Sequence, residues 1–303
     1  MTSWSVAVPK PLSDRLPARL TGEHAPVVSV VRLHGVIAAG AAGLGRQQLN
    51  ADNVEAALKR AFTADGVQAV ALAINSPGGS PTQSQLIGSR IRQLAAEHDV
   101  PVLAFCEDVA ASGGYWLACA ADEIITTPTS MVGSIGVVSA GFGMEGLIDK
   151  LGVDRRLHTA GSNKARLDPF SPEKEEDVQW LLSMQADIHR EFGAWVRERR
   201  GDNLVGTDDE LFTGDVWIGR RAVQMGLADQ VGVMREVLAE RYPRATVRTM
   251  HAKKSLAARL GLPGGGAEAV LGGALSGAGL AAALAGELVG AVEQRAAWAR
   301  FGL

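Results

Sequence analysis

Two glycine-flanked turns hold the residues best suited to chemistry. In Ala110-Ala111-Ser112-Gly113-Gly114-Tyr115-Trp116, an apolar run gives way to helical spacing. The Ser112 hydroxyl is therefore exposed by its glycines at a helix start, where the N-terminal dipole favours a developing negative charge. About one strand-helix unit earlier, Asn75-Ser76-Pro77-Gly78-Gly79-Ser80 occupies a junction of the same kind. Consecutive glycines there allow backbone N–H groups to face a bound carbonyl, because no side chain blocks the approach. The N–H groups of Gly79 and Gly113 would together hold an oxyanion. Each turn also has a plainer reading: Pro-Gly-Gly makes an ordinary tight turn, and a serine at a helix start is a common cap.

The elements that must position these turns follow from periodicity. Val27 to Leu33, Val67 to Ile74 and Val100 to Cys106 are apolar, β-branched runs of buried-strand length. Between them, residues 53–62 and 82–97 place apolar side chains at helical spacing. Such alternation predicts a mainly parallel sheet with helices packed outside it. The pattern continues with a short helix from about Ser112, strands near Glu123 to Thr127 and Ile135 to Ser139, and a helix over 142–151. Residues 172–200 read as a long helix, with Glu173, Glu175 and Glu176 in its first turn and Arg197, Arg199 and Arg200 in its last, which complements the helix dipole at both ends.

Bulk properties narrow the function. The 303 residues carry a formal charge of -3, which gives no global field for nucleic acid. The two cysteines, Cys106 and Cys119, lie in apolar runs, as buried thiols in a reducing compartment do; neither a disulfide framework nor a metal site is expected. Residues 1–26 contain prolines and interspersed charges instead of an unbroken apolar segment, and read as a soluble arm. Residues 27–242 form the expected catalytic domain. Residues 243–303 read as an appendage, basic up to residue 260 and then rich in alanine and glycine.

Taken together, the two glycine turns resemble the signal peptide peptidase A family of serine peptidases, and the resemblance runs from about Val27 to Gly232. Gly133-Ser134-Ile135-Gly136-Val137, Gly219-Arg220-Arg221-Ala222 and Met225-Gly226-Leu227-Ala228-Asp229 extend it. The resemblance implies an α/β fold of the Clp/crotonase type, built from stacked ββα units, with Ser112 as nucleophile and Gly79 lining the oxyanion hole. A serine hydroxyl needs a base to take its proton. No histidine lies between Ser112 and Gly143, where the related Clp protease places one; the signal peptide peptidases use a lysine in a loop before a long helix. Lys164, in Gly161-Ser162-Asn163-Lys164 with Pro169 beyond, matches that placement, and Lys150 and Lys174 are weaker rivals. Ser134 matches a family serine that hydrogen-bonds the lysine, and is equally readable as a strand-end hydroxyl.

The resemblance further implies a homo-oligomer whose dyad is completed between protomers, hydrophobic or unfolded peptides such as signal peptide remnants as substrates, and no cofactor. A cytoplasmic location is expected, with the basic stretch 243–260 offering either peripheral contact to an anionic inner membrane or a solvated tail. Three other readings stay open: a phage-type prohead protease of the same chemistry, a crotonase-like acyl-CoA enzyme sharing the oxyanion glycines, and a non-catalytic scaffold.

Overall fold

The computed structural model describes residues 25–40, 48–251 and 295–302. Its first unit is strand β1 (Val27–His34), helix α1 (Ala51–Phe62), β2 (Val67–Ser76), helix α2 (Pro81–His98) and β3 (Val102–Ala111). Each helix begins at a side-chain cap: Asn50 accepts from the Asn53 N–H, and Ser80 accepts from the Gln83 N–H with Pro81 following. Strand partners β1–β2 and β2–β3 are parallel, as the alternation predicts.

After β3 come helix α3 (Gly113–Ala118), β4 (Glu123–Thr126) and β5 (Met131–Gly133). Strand β3 is long enough to serve two neighbours in succession. Its residues 103–106 pair with β4 and its residues 109–111 with β5, both parallel. The chain then passes through helix α4 (Glu145–Lys150) and helix α5 (Glu175–Arg200), followed by α6 (Asp208–Leu211), β6 (Val216–Ile218), α7 (Gly219–Gln224), β7 (Gln230–Val231), α8 (Met234–Arg241) and β8 (Thr246–Thr249). Among the described residues the eight strands form one sheet, in which only the β5–β6 pair is antiparallel. This is a mixed α/β fold.

Because successive strand side chains point to opposite faces, the sheet feeds two apolar clusters. Val31, Leu33, Leu72 and Ile74 pack towards α1, α2, α3 and α5, while Val28, Val30, Ala71 and Phe105 meet Val237 and Leu238 of α8. The two cysteines are buried, and loss of solvation raises both thiols, that of Cys119 to about 12.

Several boundaries differ from expectation for identifiable reasons. No strand forms over 135–139. Gly133 and Ser134 both have positive φ (105° and 52°), which turns the chain out of the extended path after three residues of β5. The long helix starts at Glu175, after an extended Lys174, so Pro172 and Glu173 lie before it. Residues 246–249, read from sequence as the start of an appendage, instead add an edge strand parallel to β1. With one apolar residue, Val247, and all four side chains exposed, they carry no buried-face pattern to stand out against the basic composition around them. The arm 1–24 and residues 252–294 of the expected tail lie outside the described residues.

The far end of α5 is pinned to the sheet. Arg200, with a side chain 3% exposed, donates to both carboxylate oxygens of Asp229 (2.9 and 2.8 Å) and to the Gly226 carbonyl (2.9 Å). Tyr115 of α3 donates to the Leu227 carbonyl at 2.7 Å. The Met225-to-Asp229 motif is thus a docking point for α3 and α5.

Candidate active site

Ser112 lies between β3 and α3 with φ 52° and ψ −122°. An L-residue held there is strained, at a cost of about 1–3 kcal/mol, and such strain persists only where the surroundings over-determine it. They do so here: the Ser112 N–H donates to the Gly133 carbonyl of β5 at 2.8 Å, and the Ser112 carbonyl accepts from the N–H groups of Tyr115 and Trp116. The side chain makes no capping hydrogen bond, which removes the plain reading of Ser112 as a helix cap. Its hydroxyl faces two adjoining cavities of about 390 and 480 Å³.

The two glycine turns touch. A methyl group on Gly78 would lie 2.7 Å from the Ser112 Cβ and 2.7 Å from the Gly113 nitrogen. Gly79 has φ 141°, and a Cβ there would stand 2.0 Å from the Ile37 carbonyl oxygen, so only glycine fits. That approach arises because Ile37 brackets the turn, donating to Gly78 O and accepting from the Ser80 N–H, both at 2.8 Å. Among the described residues the N–H groups of Gly79 and Gly113 donate to no carbonyl or side chain. Gly79 and Gly113 both line the larger cavity with Ser112. Two unengaged donors beside an exposed hydroxyl are what a tetrahedral oxyanion requires.

Ser134 joins them. It is 5% exposed, has φ 52°, lines the smaller cavity, and its N–H donates to the Asp215 carbonyl at 2.6 Å. The remaining walls are mostly apolar: Val36, Pro77, Trp116, Val137, Ile188 and Phe192 surround the larger cavity. Trp116 stacks on Phe192 (5.0 Å between centroids) and Trp195 (6.1 Å), and the Trp195 indole N–H donates to the Trp116 carbonyl at 3.0 Å. This stack holds α3 against α5 beneath the site.

The structure brings Ser112, Gly79, Gly113 and Ser134 together but leaves Lys164 apart from them. No lysine is among the described residues that line either cavity. Lys164 sits on an exposed turn, with its N–H donating to the Gly161 carbonyl at 3.3 Å. The loop is braced by neighbouring ion pairs: Arg155 with Asp168, and Arg166 with Asp177 (3.1 Å). Arg155 also lies over the Phe170 ring and Arg166 over Trp180. Both arginines are therefore already matched by carboxylates. Lys150, at the end of α4, and Lys174, before α5, do not line the cavities either.

Two features of the site were not anticipated. His189 of α5 lines the smaller cavity, and Ala297 and Arg300, in and just after a helical turn over residues 295–299, line the larger one. The signal for His189 was legible, since Gln185, Ile188, His189 and Phe192 fall at helical spacing on one face. For 295–302 no local pattern pointed to the site.

Residues 95–248 match the model of peptidase family S49, just over half of the chain. The chain is 45% identical over its whole length to a protein of Brucella abortus named as a Na(+)/H(+) antiporter, NhaA, but spans only 40% of that protein's length. It is 30% identical over 230 residues to a putative signal peptide peptidase SppA of Enterococcus faecium, covering 75% of this chain and 66% of that protein. Protease 4 of Haemophilus influenzae is 31% identical over 228 residues, 74% of this chain and 36% of the relative. Among solved structures, the 1510-N membrane-bound stomatin-specific protease aligns at 16% identity with a TM-score of 0.46, over 77% of this chain and 100% of that one. The chain belongs to peptidase family S49, whose members among these relatives include the signal peptide peptidases that the serine and glycine turns resemble.

Proposed function

We propose that this chain is a serine endopeptidase that cleaves hydrophobic or unfolded peptides, such as signal peptide remnants, with Ser112 as nucleophile and Lys164 as general base. The observation that carries this reading is the strained Ser112, whose free hydroxyl opens on a cavity shared with the unengaged N–H groups of Gly79 and Gly113. In the reaction, the neutral Lys164 amine takes the hydroxyl proton as Oγ attacks the scissile carbonyl. The oxyanion is held by Gly79 and Gly113 while the resulting ammonium returns a proton to the leaving amine; water then repeats the sequence on the acyl-enzyme. The apolar walls, with Trp116 and Phe192 beneath, suit small or apolar substrate side chains.

Lys164 reaches Ser112 from a neighbouring copy in this proposal. The support is its exposed turn on a segment that offers solvent a series of large apolar side chains, among them Phe142 (81% exposed), Leu147, Leu151 and Leu157. Helix α4 has no buried residue at all. Packing that segment against another protomer would cover its apolar face and carry Lys164 out of solvent into the neighbouring site. The proposal includes the Clp/crotonase type of fold, for which the parallel β1–β3 core with glycine turns at its strand ends is the support.

An acyl-CoA enzyme would need the two oxyanion donors but has no use for a strained serine between them. A prohead-type protease would share the chemistry and differ in substrate. The antiporter name belongs to proteins of which this chain matches 40%, and among the described residues no helix is long and apolar enough to cross a membrane. Cytoplasmic action, with the tail touching an anionic membrane surface, completes the proposal; liposome flotation with and without residues 252–303, a deletion that spares strand β8, tests that part, and equal behaviour would retire it. For the chemistry, hydrolysis of an apolar signal-peptide substrate is compared for the wild type, Ser112→Ala and Lys164→Ala. Both variants should be inactive. An active Lys164→Ala protein would remove lysine from the mechanism.

A further inference from the structure

We propose that His189 is a positioning residue for this chemistry, holding the turn that presents Ser134 to the base; the inference rests on the serine-lysine reading above. The turn Gly133-Ser134-Ile135 is tethered at three successive carbonyl or N–H groups. The Gly133 carbonyl accepts from the nucleophile's own N–H at 2.8 Å, and the Ser134 N–H donates to the Asp215 carbonyl at 2.6 Å. The Ile135 carbonyl lies 3.3 Å from His189 Nε2.

The first two tethers belong to the sheet and to the loop before β6. The third comes from α5, the helix entered directly from the Lys164 loop. Ser134 needs such fixing, because a serine at φ 52° would relax if one side of the turn were released. Among the described residues its hydroxyl has no hydrogen-bond partner although the residue is almost fully buried, so it stands ready for a group entering the cavity.

The His189 contact favours positioning over base catalysis. A carbonyl only accepts, so Nε2 carries the proton in this bond and cannot itself be the base, which leaves only Nδ1 with a lone pair. Besides Ser112 and Ser134, the other polar groups lining that cavity among the described residues are Gln185, Thr213 and Arg300, none of which is a carboxylate that would turn the imidazole into a proton relay. His189 thus acts through Ile135 and Ser134.

The test measures kcat and KM for peptide hydrolysis by the full chain carrying His189→Ala or His189→Gln, beside Ser112→Ala and Lys164→Ala. His189→Ala should lower kcat about tenfold with KM nearly unchanged, the loss expected for one hydrogen bond that matters in the transition state. His189→Gln, whose amide N–H can reach the same carbonyl, should restore most of that loss. Should the alanine variant fail to fold, His189→Asn fills more of the space but falls short of the carbonyl, and should show the alanine phenotype. Wild-type kcat in His189→Ala, or equal losses in the alanine and glutamine variants, would overturn the inference while Ser112 and Lys164 stand. An active Lys164→Ala protein beside an inactive His189→Gln would instead overturn the dyad reading itself.

Discussion

The two halves of the proposed dyad are built in opposite ways. Ser112 emerges from the most buried strand of the sheet: residues 102–106 and 109–111 of β3 are buried, α3 behind it is wholly buried, and its backbone is tied to β5. The segment that carries Lys164 has an exposed surface, a helix with no buried residue, and ion pairs and aromatic stacking in place of a core. The contrast teaches that strain and precision are affordable where packing fixes the backbone, whereas a loop without a core must borrow its rigidity from what it meets.

The sharpest way to break this comparison is complementation. Ser112→Ala and Lys164→Ala proteins, each inactive by about 10³-fold or more, should recover measurable hydrolysis when mixed and reassembled. No recovery in confirmed mixed oligomers would place both halves in one chain. Next in size, Gly79→Ala should lower kcat by about 10²–10³-fold, the loss of one oxyanion donor, because its Cβ cannot coexist with the Ile37 carbonyl. Wild-type turnover in that variant would mean that the turn does not hold the oxyanion.

On the buried side, Arg200→Met should destabilise the fold by about 3–5 kcal/mol in urea titration, since it strands Asp229 and frees the end of α5. On the exposed side, Leu147→Asp should leave the stability of a single protomer within about 0.5 kcal/mol. It should nonetheless shift sedimentation towards smaller species; an unchanged assembly would show that α4 is not an interface. The smallest effect is a null one. Burial lifts the Cys119 thiol to about 12 and Cys106 further up, so neither should be alkylated at pH 8 until the protein is unfolded.

How far the sequence foretold this follows the same division. The β1–β3 unit was legible because its strands are continuous apolar runs and its helices carry clear stripes, and the glycine turns were legible because no other residue permits their approach. Ser112 itself was ambiguous, since a cap and a nucleophile share the same local string. Only the φ of 52° and the absent capping bond separate them. The strand expected at 135–139 failed because β-branched composition says nothing of the two positive φ values just before it. His189 lies 77 positions after Ser112 and meets it only through the packing of α5, a long-range fact that periodicity can suggest but not place. Lys164 was singled out by its resemblance to a family motif, and among the described residues it does not line the cavities that Ser112 faces.

The apolar side chains standing on the segment of α4 and Lys164 have a further implication if the reagents are housed in different copies. Such a peptidase is its own zymogen by dilution: an isolated, newly made subunit has a nucleophile with nothing to deprotonate it. Specific activity should then climb with protein concentration before reaching a plateau, so that cutting begins only where enough copies have gathered.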